Sequence, residues 1–269
     1  MEEFENKVAD TLFILLRGRI YSSENFPHIL KDEMAVSIKD KIPKEKEDKK
    51  QSQYTQLASA VRSFNMDKYI KQFMNENPEG IIVEIGCGLE TTYYRNDDSK
   101  HQWYALDLPE VIDYREKLLK NGDNQTLIRG DILKIDWMNK INEEANNKPV
   151  LISAGGLFHY FPKDQVLTVM KNIQQNINNA QLIFDTLNHL GIKGIKKYMK
   201  QIGHEEATMY FYVDDGKKLA KEIGGNAQLL QEQKYYKDIP KDGMEFMTKT
   251  SMRVSDAMDM VKMIHLKLN

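Results

Sequence analysis

The stretch "IIVEIGCGLETTYYRNDDSKHQWYALDLPEV", from Ile81 to Val111, decides the fold. An apolar run rich in β-branched residues ends at Gly86-Cys87-Gly88. A second apolar run, "QWYALDL", ends at Asp107 and Leu108. Both runs predict short buried strands, with a tight glycine turn after the first. Glycine has no Cβ, so a turn on Gly86 and Gly88 lets a ligand come close to the backbone. Asp107 lies about 21 residues beyond Gly86, a spacing that suits a strand-end carboxylate accepting hydrogen bonds from ribose hydroxyls.

Two cofactors share that outline, NAD and S-adenosyl-L-methionine. A dinucleotide site wants a third glycine for close helix–strand packing under a pyrophosphate. Position 91 is Thr91, and acids flank the turn at Glu84 and Glu90. A carboxylate is poorly placed beside a pyrophosphate. It suits the cationic sulfonium and ammonium groups of S-adenosyl-L-methionine, which carries no phosphate. The competing reading is that Glu84 and Glu90 only cap or pair locally. "RGDIL" adds Asp131 just beyond a third short strand, where a carboxylate or its backbone can meet an adenine amino group. Taken alone, Asp131 would more often be a helix N-cap or turn residue.

Working outward, the strand–helix alternation continues. "PEVIDYREKLLKNG" predicts a helix with Pro109 at its start and Gly122 at its end. "TLIRGDI", "PVLISAGG" and "AQLIFDTLN" predict three more strands, with a helix over "FPKDQVLTVMKNIQQNI". Such alternation predicts an α/β fold with a doubly wound, Rossmann-like parallel sheet. Residues 1–77 read as a helical N-terminal cover. "VADTLFILLRGRIYSS" carries an apolar stripe at Val8, Leu12, Leu15 and Leu16, with Arg17 and Arg19 at its end. A polar, charge-rich connector surrounds Pro43, and a helix from Tyr54 stops at Asn77-Pro78-Glu79-Gly80. Residues 78–190 form the cofactor-binding core, and 191–269 hold an insertion and the last strands. In that last part "GIKGIKKYMKQIG" reads as helical and "TMYFYVDDGKKLAKEIG" as an extended piece leading into a helix. "AQLLQEQKYYKD" and "MVKMIHLKLN" read as late strands. The whole is expected to be one domain, 1–269.

With 269 residues the chain can bury a full core, and its net charge of −2 gives no basic field for nucleic acid. The single cysteine, Cys87, excludes an intrachain disulfide framework and a multi-cysteine zinc site, and fits a reducing, cytoplasmic setting. Glu2, Glu3 and Glu5 open the chain without a basic run, so no secretory signal is expected. No apolar run approaches the roughly 18 residues of a membrane span. His28, His101, His189, His204 and His265 show no ligand spacing, so no metal site is expected.

"VEIGCGLETTYYR", "WYALDLPEVIDYREKLL" and "PVLISAGGLFHYF" together resemble the leucine carboxyl methyltransferase family, in its branch of polyketide O-methyltransferase-like enzymes. "LLRGRIYSS", "ILKDEMAV" and "MIHLKL" extend the resemblance from about residue 10 to the C-terminus. The family follows the turn with an acid, a threonine and a "YR" ending, here Glu90, Thr91 and Tyr94-Arg95. The resemblance implies a class I S-adenosyl-L-methionine-dependent methyltransferase with a seven-stranded sheet whose last strand is antiparallel. It implies cofactor contacts from Arg62 to the methionine carboxylate, from Gly86 and Gly88 in the turn, and from Asp107 with Leu108 at the ribose. Asp131 and Ile132 match the adenine-side pair, and Glu84, Ala154 and Gly155 complete the candidate cofactor set.

Two departures stand out. The family's acid after the fourth strand, in an "AEG" motif, is Gly155, and the acid-Thr-Arg triplet reads Glu90-Thr91-Thr92. His159 and Tyr160, just beyond, occupy the position that faces the transferred methyl group in this class, by resemblance. A neutral histidine there can take a phenolic proton; the competing readings are a packed histidine and a tyrosine wall. The aromatics of "MYFYVDD" and methionines near 244–263 are candidate pocket lining, though packing explains them as well. The expected activity is O-methylation of a small aromatic or polyketide-like hydroxyl or carboxyl acceptor. The alternatives are methylation of a protein C-terminal carboxylate, a silent S-adenosyl-L-methionine-binding scaffold, and, disfavoured by Thr91 and Glu84, an NAD oxidoreductase. The partner expected is a small-molecule acceptor rather than nucleic acid or membrane; oligomeric state is not legible.

Overall fold

The computed structural model describes residues 2–43, 51–201 and 209–269, with side chains placed from residue 12 onward except at 197–201. His204, the charged run 44–50 and the side chain of Val8 lie outside the described residues. Seven strands form one sheet: β1 (Ile81–Ile85), β2 (Gln102–Asp107), β3 (Gln125–Arg129), β4 (Val150–Ala154), β5 (Ala180–Leu187), β6 (Gln228–Lys234) and β7 (Val261–Lys267). Their order is β3-β2-β1-β4-β5-β7-β6. The first five strands run parallel, and β7 pairs antiparallel with both β5 and β6. The expected doubly wound sheet with its antiparallel last strand is therefore present.

The helices are α1 (Glu2–Asn25), α2 (Glu33–Ser37), α3 (Gln53–Glu76), α4 (Thr92–Asn96) and α5 (Pro109–Leu118), followed by α6 (Asp136–Ala145), α7 (Lys163–Asn176), α8 (His189–Gln201), α9 (Gly216–Ile223) and α10 (Phe246–Ala257). β1 and β4 are buried along their whole length, which explains why both read as continuous apolar runs rather than alternating ones. On one face Val83, Ile85, Ile152 and Phe184 pack against α6, α7 and α9. On the other, Ile82, Leu151, Ile183 and Met263 pack against α3, which fills that face with Val61, Ile70 and Phe73.

Strand order reverses between β1 and β4. That switch point opens a crevice at the strands' carboxyl ends, where open α/β sheets bind ligands. The glycine turn after β1 and the Ala154-Gly155-Gly156 turn after β4 border the same crevice. Several boundaries differ from the sequence reading. α1 runs past Arg17 and Arg19, which close its apolar stripe, to Asn25. α5 stops at Leu118, well short of Gly122, because Leu119 is already extended. β6 ends at Lys234, since Tyr235 and Tyr236 turn inward and bury their rings. α6 and α10 were not anticipated.

Candidate cofactor and active site

The turn after β1 is built on backbone that favours glycine, with φ of 64° at Gly86 and 45° at Gly88. A Cβ on Gly86 would lie 2.5 Å from Cδ1 of Leu157, so this turn also packs directly on the loop after β4. Asp107 closes β2 beneath it. Gly88 N donates to Asp107 Oδ2 at 2.8 Å, and Leu108 N donates to Oδ1 at 2.8 Å. Burial pushes the Asp107 carboxyl up, and these two donors with Arg115 pull it partly back. Each carboxylate oxygen retains acceptor capacity beyond its one backbone bond. Asp131 Oδ1 accepts from Leu133 N at 2.9 Å, forming an Asx turn. It does not cap a helix: Ile135 holds the cap position of α6. Ile132 beside it is buried in the core.

Glu84 and Glu90 are placed differently from each other. Glu84 Oε1 accepts from Thr92 Oγ1 at 2.7 Å, while Oε2 is buried without a partner. Burial first, and Glu90 second, push the Glu84 carboxyl up to about 7. Glu84 is thus buried beneath the turn, on a local hydrogen bond and close to neutrality. Glu90 anchors a charged network that explains the "ETTYYR" sequence. Arg19, buried in α1, donates to Glu90 Oε1 at 2.5 Å, to Leu89 O at 2.7 Å and to Asp32 Oδ2 at 3.3 Å. Arg95 grips Asp67 of α3 through two nitrogens, at 2.8 and 3.0 Å, and donates to Asp32 at 2.9 Å. Thr91 donates to the same Asp32 carboxylate. The two arginines hold Asp32 below the usual carboxylate range against the cost of burying it. This network clamps the glycine turn between α1, α2 and α3. Both Asp32 and the buried role of Arg19 escaped the sequence reading.

Across the crevice, α3 delivers Arg62 over the turn after β4. A Cβ on Gly156, whose φ is 66°, would lie 2.7 Å from the Arg62 guanidinium carbon, and one on Gly155 would lie 3.2 Å from Arg62 Cδ. Arg62 therefore occupies space that side chains at 155 and 156 would fill. Its Nε donates to Asp185 Oδ2 at 2.9 Å, and Nη1 is buried with no partner. Asp185, on β5, also accepts from Gly156 N at 2.6 Å and faces His159 Nε2 at 3.5 Å. The Arg62 guanidinium holds the Asp185 carboxyl well below its ordinary value despite complete burial, and the Asp185 carboxylate in turn holds Arg62 protonated. His159 is 5% exposed, and its Nδ1 is buried without a partner. It sits in a single 3₁₀ turn, Phe158–Tyr160.

Tyr160 is part-exposed beside it. The extended segment 209–213 alternates: Met209, Phe211 and Val213 turn inward, while Tyr210 and Tyr212 turn outward. Tyr210 N donates to His159 O at 2.7 Å, which ties this segment to the 3₁₀ turn. Phe211 is accounted for by its ring contacts with Phe158 and Phe184. An open groove of about 1000 Å³ between α2, α3 and α4 touches none of the candidate cofactor residues. Among the described residues no three His, Cys, Asp or Glu side chains are grouped to hold a metal ion, and no helix is long and apolar enough to cross a membrane.

A nucleoside sulfonium fits these residues. The positive-φ glycines leave a cradle that a Cβ would fill, Asp107 keeps acceptor capacity, and Arg62 Nη1 is a buried cationic donor in want of an anion. The sheet order, the glycine turn and the acid closing β2 define a class I S-adenosyl-L-methionine-dependent methyltransferase. The leucine carboxyl methyltransferase family model matches residues 17–174, and the chain belongs to that family. It is similar to the tetracenomycin polyketide synthesis O-methyltransferase TcmP of Streptomyces glaucescens, 21% identical over 219 residues that span 81% of this chain and 80% of the relative. Among solved structures it is similar to a DUF574 family protein from Streptomyces avermitilis, with a TM-score of 0.60 at 12% identity, covering 93% of this chain and 96% of that one. It also resembles the magnesium protoporphyrin IX methyltransferase of Synechocystis, solved with bound S-adenosylhomocysteine, with a TM-score of 0.51 at 11% identity, covering 88% and 95%.

Proposed function

We propose that this methyltransferase O-methylates a small, aromatic or polyketide-like acceptor that bears a hydroxyl or carboxyl group. The observation that carries the cofactor half is the pairing of the cradle after β1 with the buried, unpartnered Arg62 Nη1 across the switch-point crevice. In this reading Arg62 holds the methionine carboxylate, Gly86 and Gly88 let the nucleoside approach, and Asp107 with Leu108 holds the ribose. Asp131 and Ile132 border the adenine. Ala154 and Gly155 line the crevice floor, and Glu84 supports it from beneath. S-adenosyl-L-methionine, when bound, supplies an electrophilic methyl group on a sulfonium. The chain's own contribution is then positioning: it must orient an acceptor oxygen toward that methyl and exclude water.

The acceptor half rests on the surroundings of His159. Tyr160, next along the same turn, carries a part-exposed ring, and flat acceptors stack well on such a ring. The similarity to an O-methyltransferase of polyketide synthesis supports the same acceptor class. The buried, free Cys87 and the net charge support a cytoplasmic protein that acts on a small molecule rather than nucleic acid. In this reading residues 1–269 work as one domain, the N-terminal helices covering the crevice. The test is a methyl-transfer screen with isotope-labelled cofactor against hydroxylated aromatics and free carboxylic acids. Turnover of either class supports the proposal, and tight cofactor binding with no turnover of any acceptor refutes it in favour of a silent scaffold.

A further inference from the structure

Asp185 sits on β5 in the middle of the sheet, with strands on both sides to hold it. Phe184 before it pairs with Ala154 of β4, and Asp185 itself pairs with Met263 of β7. The side chain is buried, and both carboxylate oxygens are taken. Oδ2 accepts from Arg62 Nε at 2.9 Å, and Oδ1 accepts from Gly156 N at 2.6 Å. One strand-borne acid thus ties the guanidinium of α3 to the turn that it crosses. Glycine makes the crossing possible, since a Cβ on Gly156 would lie 2.7 Å from both the guanidinium carbon and Nη1.

A guanidinium is a planar fork, and Nη1 lies on the edge away from the Nε–H. Gripping Nε therefore sets the direction in which Nη1 points. That nitrogen is buried and has no partner. A buried donor without a partner is rare and points to a missing acceptor. Without Asp185 the guanidinium has another carboxylate to turn to, because Glu90 also acts on it. We infer that Asp185 is a positioning residue for the cofactor, holding Arg62 by Nε so that Nη1 faces the methionine carboxylate. The inference rests on the proposed placement of that carboxylate at Arg62. It makes affinity for the amino acid end of the cofactor depend on an acid that acts only through Arg62. An amide at this position offers one acceptor where two are needed and sets its NH2 against an N–H donor. Asp185→Asn therefore cannot hold both Arg62 Nε and Gly156 N.

The test separates the amino acid end from the nucleoside. S-adenosylhomocysteine carries both; 5′-methylthioadenosine keeps the nucleoside and the thioether but lacks the carboxylate. Calorimetric titration of the native chain is expected to show S-adenosylhomocysteine bound at least about tenfold more tightly, the worth of a hydrogen bond between charged groups. Asp185→Asn is expected to reduce that preference at least about fivefold, with affinity for 5′-methylthioadenosine held within roughly threefold. A tie that only braced α3 against β5 would lower both affinities together. In an Arg62→Lys background, Asp185→Asn is expected to leave the preference where Arg62→Lys alone puts it, as residues acting through one contact are not additive. Parallel loss of both affinities, an unchanged or larger preference in Asp185→Asn, or a further loss in the double variant overturns the inference. If Asp185→Asn does not fold, Arg62→Lys decides. A lysine can still pair with Asp185 but has no second nitrogen to aim, so the preference should fall, and a retained preference overturns the inference. Equal binding of the two ligands by the native chain removes the carboxylate from Arg62, and the inference with it. If only Arg62→Lys lowers the preference, that placement stands and the role of Asp185 fails.

Discussion

Glu84→Gln provides a test of the electrostatics beneath the glycine turn. Glu84 is 6% exposed in the centre of the sheet, and its carboxyl is pushed up to about 7 from an ordinary 4.5, chiefly by burial. The unfolded chain releases this proton near the ordinary value and the folded chain near 7. Between the two, the folded state binds more protons, so stability falls as pH rises. The contribution is fully present below 4.5 and lost by the time pH passes about 7. At about 1.4 kcal/mol per pH unit, the gap corresponds to a loss of about 3 kcal/mol. Thermal unfolding of the native chain and of Glu84→Gln should be followed from pH 4.5 to 8, and the difference between the two curves taken. Differencing removes the constant cost of burying an amide and the titration of every shared group. The native chain should lose about 3 kcal/mol relative to the variant across that window, or about 6 °C in Tm at roughly 2 °C per kcal/mol for a chain of this size. Parallel curves would show that Glu84 is ionised in the folded state, and the description of its site would be wrong.

Other perturbations separate the clamp from the crevice. Arg19→Met leaves the buried Asp32 and the Leu89 carbonyl short of a donor and should cost about 3–5 kcal/mol in denaturant unfolding; a loss below about 1 kcal/mol would show that the network is not a stabilising clamp. Gly156→Ala places a methyl at 2.7 Å from the Arg62 guanidinium and should displace it, which calorimetry would read as at least a tenfold weaker affinity for S-adenosyl-L-methionine; unchanged affinity would remove Arg62 from the cofactor site. Gly86→Ala meets Leu157 at a positive φ and should destabilise by about 1–3 kcal/mol, measured by chemical denaturation; a neutral result would contradict the packing of the two turns.

Much of the fold was legible because its signals are local. The five parallel strands are short apolar runs closed by Gly, Asn or Asp, and Pro109 marks the first residue of α5. α6 carried a readable pattern, with Trp137, Met138, Ile141 and Ala145 on its buried face, but the polar "NKINEEANN" context obscured it. α10 is harder to read, since Phe246, Met247 and Val254 are exposed and blur the apolar face. At the site, Gly86 and Asp107 were found from their spacing and were brought together as expected, through the Gly88 hydrogen bond. Glu84 is not the free charge that its place before the turn suggests, because burial, invisible in the sequence, decides its protonation. Asp185 was missed for a related reason. A lone acid inside "AQLIFDTLN" demands a buried partner, but that partner, Arg62, lies 123 residues away. Arg19 reads locally as a cation at the end of an apolar stripe, and only the tertiary fold turns it toward Asp32 and Glu90.

The central claim is that the crevice between β1 and β4 holds S-adenosyl-L-methionine with Asp107 on its ribose. Calorimetric titration of the native chain and of Asp107→Ala tests this directly. The native chain should bind S-adenosyl-L-methionine and not NAD, and Asp107→Ala should bind at least ten times more weakly, since hydrogen bonds to a charged acceptor are worth about 1.5–3 kcal/mol each. Binding of NAD in place of S-adenosyl-L-methionine, or equal affinity in the two proteins, would contradict the account.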